Sequence, residues 1–312
     1  MKGRFACATV GLDRADAVVP KHSARGGLRI WVMSDMRIDR RPLAMPDPLP
    51  DFDAFVVAGN VCPGLDASLR WLADALDGRQ GRRPVVLVPG NVEFWDGRPK
   101  DESLRRCRIL AEDLGITLLS DTALRVEDGN GSGVHFVGST LWTDWALHGR
   151  KAATLARGYA RHHHRDNGRI AVAEGVPYRP HDAAGAHARS RAFIEDVLLS
   201  IKVTAQGFGL SPTALVEDVR PGDRAVVVTH HAPSRASLCS RLSPDACEPW
   251  ISAACASDVE DVMRMWAAPA AWIHGHVLSP ADYAVGRCRV VANPRPRTIG
   301  TDTFDPAFVV EV

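Results

Sequence analysis

The amino-acid sequence predicts an α/β fold in which a β-sandwich of mixed sheets forms the core and helices flank it. Short runs of apolar, often β-branched residues recur along the chain, and longer amphipathic stretches separate them. The short runs are nearly continuous in apolar character, as is typical of strands covered on both faces. Alternation of such strands with helices favours a layered α/β architecture.

Six apolar runs are predicted as strands, at 29–33, 54–58, 85–88, 134–137, 225–228 and 271–273. Between them, helical spacing of apolar residues predicts helices at about 66–79, 101–114, 183–200 and 257–267. Two stretches have little such periodicity. Residues 145–182 are rich in His, Arg and Gly, and they are predicted to be an insertion over one edge of the fold. Residues 202–222 are rich in Gly and Pro, and we expect a surface excursion there.

The length of 312 residues would allow two domains at roughly 150 residues each. However, the sequence has no internal repeat and no interdomain linker. We therefore predict one domain over 28–312, preceded by an N-terminal extension at 1–27 that is expected to be flexible.

Composition limits the classes of partner. The 38 basic residues nearly balance the 37 acidic ones, so no overall field attracts nucleic acid or an anionic membrane. The seven cysteines contain no C-x-x-C pair, which favours a reducing compartment over a disulfide framework. No segment reaches about 18 apolar residues, the length that a membrane span needs. These patterns predict a cytoplasmic protein with no membrane partner, and net charge gives no indication of nucleic-acid binding.

Polar residues follow five of the predicted strands. They are Asp35, Asn60, Asn91, His230 and His276. In open α/β sheets the carboxyl ends of strands meet at one crevice, which is where ligands bind. The sequence therefore predicts a functional site at this edge.

The order of these strand ends resembles the calcineurin-like metallophosphoesterase family over roughly residues 28–312. That family's strands end in Asp-x-His, Gly-Asp, Gly-Asn-His-Glu, a lone His and Gly-His-x-His. The matching blocks here are Asp35-Met36-Arg37, Gly59-Asn60, Gly90-Asn91-Val92-Glu93, His230 and Gly275-His276-Val277-Leu278. The resemblance implies a metallophosphoesterase-like sandwich of mixed sheets. In intact members, two divalent cations about 3.5 to 4 Å apart clamp a phosphate ester and hold a bridging hydroxide.

At the first-metal site that the resemblance implies, Asp35 matches the family and three ligands are replaced. Arg37 stands at a His position, Asn60 at the bridging Asp, and Leu278 at the last His. Neither a guanidinium nor a leucine side chain offers a lone pair to a cation. These four residues are predicted to be the remnant of the first site, and a two-metal centre is not expected.

The second implied site keeps more of its ligands. Asn91, His230 and His276 match, and Asn60 again stands at the bridging position. An imidazole pair can hold zinc, manganese or iron, although two neutral amides add little affinity. The predicted metal ligands are therefore Asn60, Asn91, His230 and His276, for one divalent metal at most; the alternative is that the histidines now bond only to neighbours.

No catalytic residue of the family is intact, because Val92 stands where the resemblance implies a histidine near the leaving group. General acid–base help is typically worth about 10²- to 10⁴-fold, and valine supplies none. Hydrolysis by the usual route is expected to be absent or very slow.

Arg37 suggests one compensation. If residues 35–37 stay extended, its guanidinium lies on the same side as Asp35 and pairs with that carboxylate in place of a metal. The alternative is that Arg37 points to solvent.

Other residues have secondary predicted roles. Glu93 is expected to orient neighbouring backbone, and Asp144 is expected to be structural. His231 adjoins His230 and could face the crevice too, but neighbours on an extended chain point apart, so only one of them is expected to be a ligand, and the resemblance favours His230. The run 162–164 of three histidines beside Asp166 could chelate a metal, although a surface tract is more often incidental. Trp31, Trp142 and Trp272 are expected in the core.

The favoured interpretation is a metallophosphoesterase-like pseudoenzyme that binds a phosphate-containing small molecule or a protein partner. The first alternative is a slow hydrolase that uses one metal on a phosphomonoester or phosphodiester. The second is a structural subunit whose crevice is buried by a partner.

Overall fold

The computed structural model describes residues 27–128, 131–208, 216–238, 247–296 and 303–312. The predicted N-terminal extension at 1–27 therefore lies, apart from Gly27, outside the described residues. Among the described helices, none combines the length and the apolar character that a membrane crossing requires.

The first sheet has five strands: β1 (Arg29–Met33), β2 (Ala54–Val57), β3 (Val85–Leu87), β4 (Ile116–Leu118) and β13 (Val309–Glu311). Their spatial order is β13-β1-β2-β3-β4. Strands β1 to β4 are parallel neighbours, whereas β13 pairs antiparallel with β1. The carboxyl ends of β1, β2 and β3 consequently lie at one edge.

The second sheet has six strands: β5 (Thr122–Glu127), β6 (Gly133–Ser139), β9 (Arg224–Thr229), β10 (Ala271–Ile273), β11 (Ala281–Val285) and β12 (Cys288–Ala292). Their order is β11-β12-β10-β9-β6-β5. The four central strands are parallel, and β5 and β11 form antiparallel edges. A separate small hairpin joins β7 (Ala171–Ala173) and β8 (Val176–Pro177).

Six α-helices complete the described part of the chain: α1 (Leu65–Leu76), α2 (Lys100–Asp113), α3 (Arg150–His163), α4 (Pro180–Ala205), α5 (Pro249–Cys255) and α6 (Glu260–Arg264). Short 3-10 turns lie at 92–94, 165–168 and 235–237.

The two sheets pack face to face between layers of helices. Because side chains alternate across a strand, Ile30 and Val32 of β1 face the second sheet, where they meet Val226 and Val228 of β9. Their neighbours Trp31 and Met33 face outward and pack in the cluster that contains the apolar faces of α1 and α2. On the far side, β9 and β10 pack against α4 and α6. Burial on both faces explains why the central strands have continuous apolar sequences.

The predicted fold class is confirmed: two mixed sheets form the core, with helices on both sides. All six predicted strands are present, and the three tryptophans expected in the core are buried. The predicted helix at 183–200 extends over Pro180–Ala205, whereas only Glu260–Arg264 of 257–267 is α-helical. Residues 145–182 contain α3 and the β7–β8 hairpin. The first residues of the surface excursion predicted at 202–222 belong to α4, and its residues 209–215 lie outside the described residues.

Candidate functional site

The five polar strand ends lie together in a largely buried cluster, which is called the crevice here and is defined by Asp35, Asn60, Asn91, His230 and His276. The side-chain amide of Asn60 donates to Oδ1 of Asp35 at 2.9 Å, and the backbone N–H of His276 donates to Oδ2 of Asp35 at 2.8 Å. The rings of His230 and His276 approach with 3.1 Å between Nε2 and Nδ1. The fold therefore brings these strand-end side chains together, as the position of strand carboxyl ends at one edge predicted.

Two glycines make this close approach possible. A Cβ added to Gly90 would lie 2.5 Å from Oδ1 of Asn60 and 2.7 Å from Nε2 of His230. A Cβ at Gly275 would lie 2.6 Å from the carbonyl oxygen of Ala58 and 2.9 Å from Oδ2 of Asp35. Real Cβ atoms do not tolerate such separations, so only glycine lets these turns bring the polar side chains into contact.

The backbone of the crevice is unusual at four non-glycine residues. Asp35, Arg37, Asn60 and His276 have φ angles of 53°, 42°, 61° and 67°. Asp and Asn tolerate this left-handed region, but it is uncommon for Arg and His. Such conformations cost of order 1 kcal/mol or more each, and they cluster at functional sites.

The remnant of the first-metal site is closed by its own hydrogen bonds. Both oxygens of Asp35 accept bonds from Asn60 and His276, and Oδ1 of Asn60 accepts from the backbone N–H of Val92 at 3.0 Å. Every polar atom of the Asn60 side chain therefore has a partner within the protein. Leu278 is half-buried two residues beyond His276 and contributes no donor. The residues present here do not fit a metal ion.

The pairing of Arg37 with Asp35 that the sequence predicted is not formed. Its Nε and Nη2 donate to the two carboxylate oxygens of Asp39, both at 2.8 Å, and its guanidinium lies 5.4 Å from the ring of Trp95. The expectation assumed an extended segment, but the positive φ angles of Asp35 and Arg37 turn the chain. The turn directs the guanidinium to a carboxylate two residues downstream.

The second-site histidines form a compact group of rings. Nδ1 of His230 lies 2.8 Å from the carbonyl oxygen of Ala58, and because a carbonyl only accepts, this nitrogen carries the proton. The other ring nitrogen of His230, Nε2, faces His276. The ring of His231 stacks on that of His276 with centroids 4.2 Å apart, so His231 lies beside the crevice as well. Burial, with a smaller contribution from His230, holds the pKa of His231 well below its usual range.

Asn91 is held by a residue from the predicted insertion. Its Nδ2 donates to Oδ1 of Asp166 at 2.9 Å, and the indole N–H of Trp95 donates to the same oxygen at 2.7 Å. The other polar atom of the Asn91 side chain, Oδ1, is buried and has no hydrogen-bond partner among the described residues. Nδ1 of His164 lies 3.5 Å from Asp166, so of the three consecutive histidines this one approaches the crevice. Sequence reasoning named Asp166 only as a neighbour of the histidine run.

Glu93 has the predicted supporting role. Its carboxylate accepts from the backbone N–H groups of Asn60, Val61 and Gly90 at 2.8, 2.6 and 2.8 Å. Complete burial raises the pKa of Glu93, although these N–H groups and His230 favour the charged form. The carboxylate fixes the turns that carry Asn60 and Asn91. Asp144 likewise accepts from the backbone of Ala146 and from Ser257, consistent with a structural role.

The chemistry left to the crevice is limited. The buried side chain of Val92 offers no proton. Among the described residues, no group of three or more His, Cys, Asp or Glu side chains is arranged to hold a metal ion. The remaining donors are Nε2 of His230, the ring of His276 and Oδ1 of Asn91. This set of an amide oxygen and two imidazoles could contribute ligands to one late transition metal, but it lacks the carboxylate that bridges two.

No protein-family model matches this sequence, and no curated protein sequence matches it. Among solved structures, the chain is similar to the phosphopantetheinyl hydrolase of Mycobacterium tuberculosis, with 17% identity, a TM-score of 0.58, and coverage of 91% of this chain and 95% of that one. It also matches a putative 5'-nucleotidase of Staphylococcus aureus, solved with alpha-ketoglutarate, with 12% identity, a TM-score of 0.43, and coverage of 87% and 49%. The first similarity, together with the two mixed sheets flanked by helices, shows that the chain has a metallophosphoesterase-like fold.

Proposed function

We propose that this protein is a metallophosphoesterase-like pseudoenzyme that binds a phosphate-containing ligand in the crevice and hydrolyses phosphoesters little or not at all. The observation that carries the proposal is the hydrogen-bond chain from Asp35 through Asn60 to the backbone of Val92. This chain uses the atoms that would otherwise face a bridging cation.

The Asn60 amide explains how the crevice is stable without a metal. A buried carboxylate such as Asp35 costs free energy unless it is hydrogen-bonded or paired. Here an amide nitrogen and a backbone N–H satisfy both of its oxygens, so the site does not require a cation for charge compensation. An aspartate at position 60 would instead place a second carboxylate beside the first.

Support for a phosphate-containing ligand comes from the rim of the crevice. The guanidinium of Arg169 lies 4.4 Å from the ring of Trp95, which also contacts Arg37 and bonds to Asp166. Arg37 is paired with Asp39, whereas Arg169 has no carboxylate partner within the described residues. An exposed guanidinium held on an aromatic ring is suited to a phosphate group.

Calorimetric titration with inorganic phosphate and with phosphopantetheine tests the binding half of the proposal. The second compound is chosen because the structurally similar protein is a phosphopantetheinyl hydrolase. We expect saturable binding that the Arg169→Gln variant weakens about tenfold. The control is Arg161→Gln, an exposed arginine on α3, which should bind as the wild type does. If neither compound binds, the phosphate ligand is ruled out in favour of a protein partner.

An assay with a generic phosphodiester and added manganese tests the loss of hydrolysis. We expect the same background rate for the wild type and for His276→Ala. A wild-type rate well above that of His276→Ala would contradict the pseudoenzyme.

The second candidate is a slow hydrolase that uses a single metal, and one observation favours it. Within the part of the chain that the structure describes, Oδ1 of Asn91 is buried without a hydrogen-bond partner, and Nε2 of His230 lies 3.1 Å from Nδ1 of His276. Metal analysis of protein purified without chelators separates the candidates. The hydrolase is favoured if the wild type binds one ion of zinc, manganese or iron per chain and the His230→Ala variant binds none.

A further inference from the structure

A groove of about 610 Å³ lies at the end of the second sheet opposite to the crevice. It is lined by the last turns of α4, by the segment 263–270, which begins in the last two residues of α6, and by the β11–β12 turn at 286–287. It contacts the first residues of β9, whereas His230 follows the last residue of that strand. The groove is therefore separate from the crevice. Its volume lies within the range of about 300 to 1,000 Å³ that is typical of small-molecule sites.

The groove combines an apolar floor with an exposed aromatic pair. Leu198, Ile201 and Met263 line it and are buried in the outer core. Trp266 lines the groove and is 56% exposed, while Phe208, just past the end of α4, is 71% exposed. Their ring centroids lie 6.2 Å apart. Large aromatic side chains that remain exposed together often mark a binding surface.

The groove also carries two cationic side chains that form no ion pair with a described carboxylate. Lys202 lies with Nζ 5.6 Å from the Trp266 ring, and Arg287 lies in the β11–β12 turn. Within the described part of the chain, neither has a carboxylate within ion-pair distance. Two further arginines that line the groove are already engaged, Arg224 with Asp128 and Arg264 with Glu260.

Asp223 does not cancel this charge, although it is the one carboxylate among the groove's described lining residues. Its side chain is 0% exposed. It accepts hydrogen bonds from Arg125 and the ring of His135. Its charge is therefore used inside the protein and not presented to a ligand.

We propose that this groove binds a nucleoside phosphate, with the base stacked on Trp266 and the phosphate bonded to Lys202 and Arg287. An indole face stacks well on a planar heteroaromatic ring, whichever base it is. An ammonium and a guanidinium form charge-assisted hydrogen bonds with phosphate oxygens. The apolar floor suits the base and the two cations suit the phosphate, so one ligand that joins both parts fits better than either part alone.

Calorimetric titration with AMP tests the proposal, with adenosine and ribose 5-phosphate as the two halves of the ligand. We expect saturable AMP binding below about 1 mM and weaker binding of both halves. Trp266→Ala should weaken AMP binding about tenfold through loss of stacking. Lys202→Gln combined with Arg287→Gln should weaken it by a similar factor and remove its salt dependence. All three substituted side chains lie at the surface of the groove, and circular dichroism confirms that the variants fold.

Two control variants place the binding in the groove. Arg105→Gln removes an exposed cation from α2 and Arg161→Gln removes one from α3, and both should bind AMP as the wild type does. The proposal is overturned if AMP does not bind, if Trp266→Ala binds it equally well, or if His276→Ala abolishes binding. It is also overturned if Trp266→Ala converts a wild-type dimer to a monomer, since a second copy of the chain would then cover the aromatic pair. None of these outcomes depends on whether the crevice hydrolyses phosphoesters.

Discussion

Asn60 differs from aspartate by one group, an amide nitrogen in place of an oxygen. That nitrogen lies 2.9 Å from Oδ1 of Asp35, and the amide oxygen lies 3.0 Å from the backbone nitrogen of Val92. The side chain is therefore both donor and acceptor in positions that a carboxylate could fill only as acceptor. A single residue thus determines whether two acidic side chains face each other across the crevice.

Replacement of Asn60 by Asp should destabilise the protein at neutral pH by about 1 to 3 kcal/mol, because it replaces a hydrogen bond with repulsion between two buried carboxylates. The pair would share a proton at low pH, so the folded state would bind more protons than the unfolded state. The deficit should therefore be largest above about pH 5 and shrink on acidification. Urea denaturation of the variant and the wild type across this range measures it.

The control for Asn60→Asp is Gln206→Glu, an exposed amide-to-acid change at the end of α4. We expect a change of a few tenths of a kcal/mol there. Equal stability of Asn60→Asp and the wild type at neutral pH would contradict the role given to the Asn60 amide.

Asp223 allows a second prediction from a single residue. Burial opposes its ionisation, but hydrogen bonds from Arg125, the Arg220 backbone, His135 and the Gly133 backbone outweigh burial and lower the pKa of Asp223. Because the pKa of Asp223 is lower in the folded state, its ionised form stabilises the protein above the unfolded pKa of about 3.9. This stabilisation is lost at lower pH. Asp223→Asn should therefore cost about 2 to 4 kcal/mol at pH 7, and the difference should shrink below about pH 4.

Asp218→Asn provides the matched comparison for Asp223→Asn, because Asp218 is exposed and asparagine tolerates its φ of 59°. Its stability should stay within about 0.5 kcal/mol of the wild type. Denaturation midpoints of both variants at pH 7 and near pH 3 give the comparison; a constant deficit for Asp223→Asn at both values would refute the linkage.

At the residue scale the sequence predicted which side chains meet but not how they bond. Asp35, Asn91, His230 and His276 follow strands, and strand direction alone brings them to one edge. The partner of Arg37 depends on two left-handed φ angles, which a sequence pattern does not encode. The partner of Asn91 is Asp166, 75 residues away in a 3-10 turn, and no periodicity marks that contact.

At the scale of elements, strands covered on both faces were recognisable because their sequences are continuously apolar. The edge strands β5 and β11 were missed, since all their residues except Val285 are half-buried or exposed and their sequences include charged groups such as Arg125 and Asp282. Strands β4, β12 and β13 of the two large sheets were not predicted either. Helix α3 was missed for a different reason. Its buried residues are all alanine, at 153, 156 and 160, and alanine gives a weak apolar signal at helical spacing.

Two glycine substitutions compare an element that needs glycine with one that does not. Gly158 lies within α3, and a Cβ there would meet nothing within 4 Å, so Gly158→Ala should stabilise the protein by about 0.5 to 1 kcal/mol. Gly90→Ala should cost more than about 2 kcal/mol, because its Cβ would collide with Asn60 and His230. Urea denaturation of each variant gives both values; a neutral effect for Gly90→Ala would mean that the crevice is less closely packed than described.

At the scale of the whole molecule, the fold lowers the pKa values of a set of histidines. Burial is the main cause that lowers the pKa of five of them, His135, His148, His187, His231 and His274. They lie on different elements, from β6 to the end of β10. The effect of acid on these groups is therefore a property of the entire fold and not of the crevice alone.

Stability should decline as the pH falls from about 6.5 towards 4. Burial lowers the pKa of His274 from its ordinary value of 6.5 to about 4, so the unfolded chain takes up a proton in this window while the folded chain does not. Full protonation of His274 in the unfolded chain lowers the free energy of unfolding by about 3 kcal/mol. Urea midpoints between about pH 7.5 and 4.5 should fall steadily. His274→Gln should flatten the decline, and His162→Gln, exposed at the end of α3, should leave it unchanged. A midpoint that is constant across this range would show that the buried rings are already protonated in the folded protein.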